Sequence, residues 1–199
     1  MRPALALLEF SSVAVGIVAG DAMVKRAPVA GIVAGTVHPG GYLVMVTGEV
    51  GDVEEAVIGG VAAGSDALVD RVFLPEVHAA VTAALGGGRG AVRGEALGVI
   101  ETVTVAATLE AADAAMKRAE VSLLAVRLAD GLGGKAYALY SGSLPEVQSA
   151  IDAGLAAIHP DVVVGSSIVP NLAGEMGENV YDAPRFGDRA GWGSGDAAG

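Results

Sequence analysis

The sequence predicts an α+β fold, two α/β sandwiches in tandem, and three observations carry that prediction. Residues 4–27 and 96–119 are one segment written twice, 92 positions apart: ALALLEFSSVAVGIVAGDAMVKRA and ALGVIETVTVAATLEAADAAMKRA share 11 of 24 positions. A repeat of this kind fixes the number of structural units. The match resumes at an offset of 94, where Gly48, Val53, Ala56, Gly60, Ala62 and Ala63 meet Gly142, Val147, Ala150, Gly154, Ala156 and Ala157. Between the copies lies GGGRGAVRG (86–94), permissive backbone that reads as a junction. The expected layout is a first domain over 1–88, a linker over 89–94, a second domain over 95–176 and a tail over 177–199. Two copies at so long a period exclude a solenoid, which needs at least three stacked units.

Each element follows from local pattern. Ala4–Phe10 and Ala96–Thr102 are short apolar runs and read as strands. A helix is expected over Val13–Ala27, with Ser11 or Ser12 as N-cap, and another over Val105–Ala119 behind Thr104. Asp21 and Lys25 then stand one turn apart with the acid first, as do Asp113 and Lys117, the favourable order for a helical pair. Val29–Val37 and Tyr42–Thr47 read as strands around an HPGG turn; Val121–Leu128 and Lys135–Ser141 flank ADGLGG. A second helix follows each hairpin, and the Ser143/Glu146 spacing is that of a capping box with Pro145 in the first turn. Ala67–Leu74 and Asp161–Val169 supply the last strands, and Glu76–Leu85 a short helix. The order is β-α-β-β-α-β twice, the split βαβ or ferredoxin-like pattern.

Composition narrows the function. With 52% hydrophobic and 18% charged residues the chain is apolar, and a sheet open on one face must be covered, so self-association is expected. A net charge of −11 with no basic arm argues against nucleic acid as partner. The absence of cysteine excludes disulfides, thiolate catalysis and thiolate-held metals. The apolar N-terminal run is interrupted by Glu9 and recurs around Glu101, so it reads as structure rather than a targeting signal. The uncharged window Ala27–Gly48 is split by His38-Pro39-Gly40-Gly41, which argues against a membrane span.

No catalytic constellation emerges. His38, His78 and His159 sit in no nucleophile or metal motif, and His78 and His159 read as surface helix or loop residues. Glu9 and Glu101 recur by duplication inside strands, which favours a shared structural role over acid–base work. DGLGGK (130–135) lacks both the P-loop and the dinucleotide spacing. Nothing calls for an enzyme or a cofactor.

The segments LALLEFSSVAVGIVAGDAMVKRAPV and LGVIETVTVAATLEAADAAMKRAEV carry E-x(11)-D-A-x-x-K twice. Each is followed by a Gly-rich turn, a strand ending at Gly48 or Gly142, and a second helix. Over about residues 3–172 this resembles bacterial microcompartment shell domains, and two in one chain resemble the tandem-domain, trimeric shell proteins. The resemblance implies a homotrimer forming a pseudohexameric tile, packed edge to edge with other shell proteins around an enzyme-filled compartment in the bacterial cytoplasm. It implies a central pore for small polar metabolites, lined by His38, Pro39, Gly40 and Gly41 and by Asp130, Gly131, Leu132, Gly133 and Gly134. By position, Lys25 and Lys117 match the lysines at tile edges, with Asp21, Asp113, Arg26 and Arg118 beside them.

Two departures stand out. Similar tandem shell proteins of propanediol-type compartments carry a cysteine in the first turn, which holds an iron–sulfur cluster; here that position is His38. Three imidazoles about a threefold axis are a conceivable metal site, which leaves a metal-bearing or redox conduit as an alternative to a plain pore. The edge motif after the last strands is replaced by FLPEVH and IVPNLA, which shifts lateral contact onto Lys25, Lys117, Arg26 and Arg118. A ferredoxin-like ligand-binding regulator or enzyme is a third reading, because the fold hosts many functions.

Overall fold

The computed structural model describes residues 3–181. The first half runs β1 (Ala4–Phe10), α1 (Val13–Arg26), β2 (Gly31–Val37), β3 (Gly41–Gly48), α2 (Val50–Gly64), β4 (Leu68–Leu74) and α3 (Ala79–Leu85). The second runs β5 (Ala96–Thr102), α4 (Val105–Arg118), β6 (Ser122–Arg127), β7 (Ala136–Gly142), α5 (Leu144–Ala157), β8 (Val163–Val169) and α6 (Gly174–Tyr181). Each half folds into a four-stranded antiparallel sheet, ordered β2-β3-β1-β4 and β6-β7-β5-β8. The two registers repeat each other: Leu5 lies opposite Thr47 and Leu74, and Leu97 opposite Ser141 and Val169. Even the irregularity recurs, between Glu9 and Phe10 and between Glu101 and Thr102.

The central strand β1 is buried along its whole length. Ala4, Ala6, Leu8 and Phe10 point under α1 and α2, where they meet Ala19, Met23, Val53 and Ala56. Leu5 and Leu7 point to the other face and join Val72 and Leu74 in a cluster that continues into Ile100 and Leu109 of the second domain. Strand alternation thus gives the first domain its own core and, on its far face, a core shared with the second.

Helix starts follow their caps. The Ser12 hydroxyl accepts from Val15 N at 3.4 Å, and Thr104 accepts from Ala107 N at 3.3 Å. The repeated glycine of the second helices answers a close crossing: a Cβ on Gly154 would lie 3.0 Å from the Ala111 carbonyl oxygen of α4 and 2.6 Å from Ile100 Cδ1. The capping box is not formed. Ser143 occupies the N-cap of α5 without a side-chain bond, and the Glu146 carboxylate accepts from Glu120 N at 2.8 Å, tying the helix to the loop before β6.

The two post-sheet segments begin alike and then part. Val77 N donates to Pro3 O and Leu172 N to Glu95 O. From there α3 crosses to the second domain, burying Val81 and Ala84 beside Val121 and Leu123. Behind it Gly90 N donates to Leu123 O on the edge strand β6, so close that a Cβ there would meet Ser122 Oγ at 2.3 Å. In contrast, α6 folds back on its own sheet, where Leu172, Val180 and Tyr181 pack on Leu97, Leu124 and Leu139. The expected tail therefore begins within α6, and its remainder, 182–199, lies outside the described residues.

Candidate functional site: paired turns and the seam between domains

The two Gly-rich turns meet. His38 N donates to Asp130 Oδ1 at 3.1 Å, and the His38 ring Nδ1 lies 3.4 Å from the same oxygen. Pro39 Cδ is 3.1 Å from where a Cβ on Gly134 would be. Gly40, Gly131, Gly133 and Gly134 all have positive φ, conformations open chiefly to glycine, which is how the chain reverses tightly with so little side-chain bulk at the tip. Gly41 starts β3, while Leu132 N bonds back to Ala129 O and is half-buried. The His38 and Asp130 side chains are 80% and 58% exposed, so a hydrogen-bonding, acid-bearing rim faces solvent. Beside the turns a cleft of 320 Å³ opens between the domains, walled by Phe10, Tyr42, Leu43, Val69 and Val103 and reaching Glu9. Among the described residues no group of three His, Cys, Asp or Glu side chains is placed to hold a metal ion.

Below the turns the domains are joined by a polar seam. Glu9, 9% exposed, reaches from β1 to the first turn of α4, where Ala106 N donates to its Oε1. Asp70, its register neighbour on β4, accepts from the Thr104 hydroxyl at 2.5 Å. Both carboxylates thus serve the positive end of α4. Burial pushes the Glu9 carboxyl up to about 7; the helix amides oppose this and the Asp70 charge adds to it. Glu110, one turn into α4, is also raised, by burial and then by Asp70. At the far end of the helix Asp113 accepts from His78 N at 2.7 Å and pairs with Lys117 at 2.5 Å.

The equivalent surfaces elsewhere are bare. In α4, Ala106, Leu109 and Asp113 are buried against the first domain; their counterparts in α1, Ala14, Ile17 and Asp21, are exposed. Ile17, Val18 and Val24 are 53%, 58% and 40% exposed and share one helix face. On the receiving side, Leu7 and Val72 are buried under α4, whereas their counterparts Val99 and Ser167 are half-buried and exposed. Glu101, the counterpart of Glu9, has no helix end to cap and bonds Lys135 Nζ at 2.5 Å. The edge strands differ likewise: β6 lies under α3 and the linker, while Ile32 and Val33 of β2 are 42% and 64% exposed.

The basic pairs are placed as follows. Lys25 bonds Asp21 at 2.6 Å on an open surface, and Arg26 bonds Glu55 of α2 at 2.8 Å. Lys117 is 38% exposed, but its Asp113 is covered by the chain itself, so only the lysine of that pair reaches outward. Arg118 faces Ser149, the counterpart of Glu55, across a shallow groove with Asp152, and forms no ion pair among the described residues. His78 and His159 each accept a local backbone N–H, from Ala80 and Asp161, and so serve as caps.

Sequence reasoning gave Glu9 a structural role but missed what it is: a cap on another domain's helix, shared with Asp70 and Thr104. The signal available was a carboxylate within an otherwise apolar, doubly buried strand, which needs a partner from outside its own sheet. The sequence marks Lys135 only as the first residue of a strand, and its bond to Glu101 depends on a hairpin register that periodicity does not fix.

This architecture, two similar domains joined by a seam whose faces recur uncovered, defines a class of tandem assembly modules. The BMC domain family model matches residues 4–77 and 96–172. The chain is 39% identical over 171 residues to the bacterial microcompartment shell protein PduT of Citrobacter freundii, covering 85% of this chain and 93% of the relative. It is 36% identical over 95 residues to EutM, a microcompartment shell protein of Salmonella typhimurium, covering 47% of this chain and 96% of EutM. The crystal structure of a microcompartments protein from Desulfitobacterium hafniense DCB superposes with a TM-score of 0.76 at 33% identity, covering 88% of this chain and 98% of that one. The chain belongs to the BMC-domain family, with two BMC domains in tandem. It is a structural component of the microcompartment shell, a protein-walled compartment in the bacterial cytoplasm, and not an enzyme. Among the described residues no helix is long and apolar enough to cross a membrane.

Proposed function

We propose that three copies of this chain close head to tail into a pseudohexameric shell tile whose central pore passes small polar metabolites. The observation that carries this is the mismatch between α4, seated on β1 and β4 of its own chain, and α1, whose matching face of Ile17, Val18, Asp21 and Val24 is bare. An interface seen once inside the chain, with both complementary halves free at its ends, is heterologous, and a closed rotation turns such contacts into a ring. Burying three aliphatic side chains contributes roughly 1.5–3 kcal/mol each. Two modules per chain, three chains per ring, give six similar wedges.

In that ring the His38–Gly41 and Asp130–Gly134 turns alternate around the opening. Their hydrogen-bonding groups and glycine backbone suit small polar solutes, and three Asp130 carboxylates favour cations over anions. Lys25, Lys117, Arg26 and Arg118 are the basic groups for contact between tiles and with other shell proteins. No observation favours a metal-bearing conduit through His38 or a ligand-binding regulator.

Electron microscopy of the purified protein tests the reading: discrete pseudohexameric discs or flat sheets support it, and a stable monomer overturns it. Asp130→Lys tests the rim. The variant should invert the preference between small anionic and cationic solutes in a vesicle or shell flux assay, and unchanged flux places the constriction elsewhere.

A further inference from the structure

We infer that the seam between the two domains is a pH-responsive hinge of the pore rim, closed while Glu9 carries a proton and loosened when Glu9 ionises. The inference rests on the pore reading above, although the seam itself lies within one chain. Three acids converge on this seam. Glu9 comes from β1, Asp70 from β4 and Glu110 from α4, around the first turn of α4. The titratable groups at the neighbouring turns are His38 and Asp130, which lie within hydrogen-bond distance of each other, and Lys135, which Glu101 engages. Among the described residues no basic side chain bonds Glu9. The hydrogen bond between His38 N and Asp130 spans the same two domains, and Glu9 and His38 border one cleft, so opening the seam parts the rim.

The seam expected between copies lacks this arrangement. Glu101 replaces Glu9 but is matched by Lys135, where the first copy has Gly41; Gly165 stands in place of Asp70, and Val18 in place of Glu110. Acids have accumulated on the one seam whose halves are covalently tethered, where loosening does not scatter the assembly.

The direction follows from linkage. A free carboxyl near 4.5 becomes one near 7 in the closed seam, because burial, then Asp70, disfavours the charge. The closed seam binds the proton more tightly, so its stability is fully present below 4.5 and lost as pH rises through 7.

The test is amide hydrogen exchange over residues 103–109 in the full-length protein, comparing wild type with Glu9→Gln at each pH so that intrinsic exchange chemistry cancels. The ratio of wild-type to variant exchange should rise about 50-fold between pH 5 and pH 8.5, the size a shift of this order implies. Glu101→Gln keeps Glu9 and should leave the pH-dependent rise over this segment as it is in the wild type. A ratio flat with pH, or an equal effect from Glu101→Gln, overturns the hinge. Should Glu9→Gln fail to fold, Asp70→Asn in the otherwise native chain should let Glu9 ionise more readily inside the closed seam and so shrink the rise in exchange with pH, and an unchanged rise is equally fatal. Native mass spectrometry of the same samples separates the two readings: a monomer sinks the ring but leaves the hinge readable, while a trimer with flat exchange sinks only the hinge.

Discussion

Helices α1 and α4 are copies of one sequence with opposite surroundings. Nine of the fourteen residues of α4 are buried, against four of α1, although the two share Val, Ala, Asp, Lys and Arg at matching places. What differs is the neighbour. The linker is long enough to bring β1, β4 and α3 onto α4, and nothing within one chain does the same for α1. Burial at a repeated position thus reports assembly as much as sequence, and the difference marks the surface that a second copy must cover.

The largest effect should come from placing a charge at matched sites. Leu109→Asp puts an unpaired carboxylate in the shared core and should cost about 4 kcal/mol or more, enough to unfold the chain in chemical denaturation. Ile17→Asp, its counterpart, should leave the chain folded by circular dichroism and abolish its association. If both variants unfold, or both remain assembled, the contrast between the helices is wrong.

A smaller effect distinguishes the two helical ion pairs. Asp113→Ala removes a buried acceptor from His78 N and strands Lys117, and should cost about 2–3 kcal/mol in denaturant titration. Asp21→Ala breaks only an exposed pair and should change the unassembled chain by less than about 0.5 kcal/mol. Equal losses would mean that Asp21 is already covered.

The smallest concerns the two cores. Tyr140 is fully buried and its hydroxyl has no partner among the described residues, where the first domain has Val46. Burial pushes its phenol well above the usual range. Tyr140→Phe should keep the packing and gain up to about 1 kcal/mol of thermal stability; a loss would reveal a partner for the hydroxyl.

Most of the fold was legible because both periodicities appear twice. The strands β1 and β5 begin and end where their apolar runs do; α4 starts at the expected cap Thr104, and α1 at Ser12, one of the two serines expected to cap it. The turns at His38 and Asp130 were legible as turns, but their meeting was not, since it depends on two hairpins from different domains. The Ser143/Glu146 box looked formed in sequence and is not, because Glu120 N competes for the same carboxylate. The helix α6 escaped notice because its Gly, Glu and Asn residues carry little apolar periodicity; it forms by covering Leu97, Leu124 and Leu139. The seam acids were hardest to see: Glu9 and Asp70 pair across β1 and β4 of one sheet, but Glu110 joins them only when α4 of the second domain packs on that sheet.

Native mass spectrometry of the wild-type chain beside Ile17→Asp addresses the central claim most directly. The account predicts a trimer for the wild type and a folded monomer for the variant; a monomeric wild type, or a variant that still forms the trimer, would contradict it.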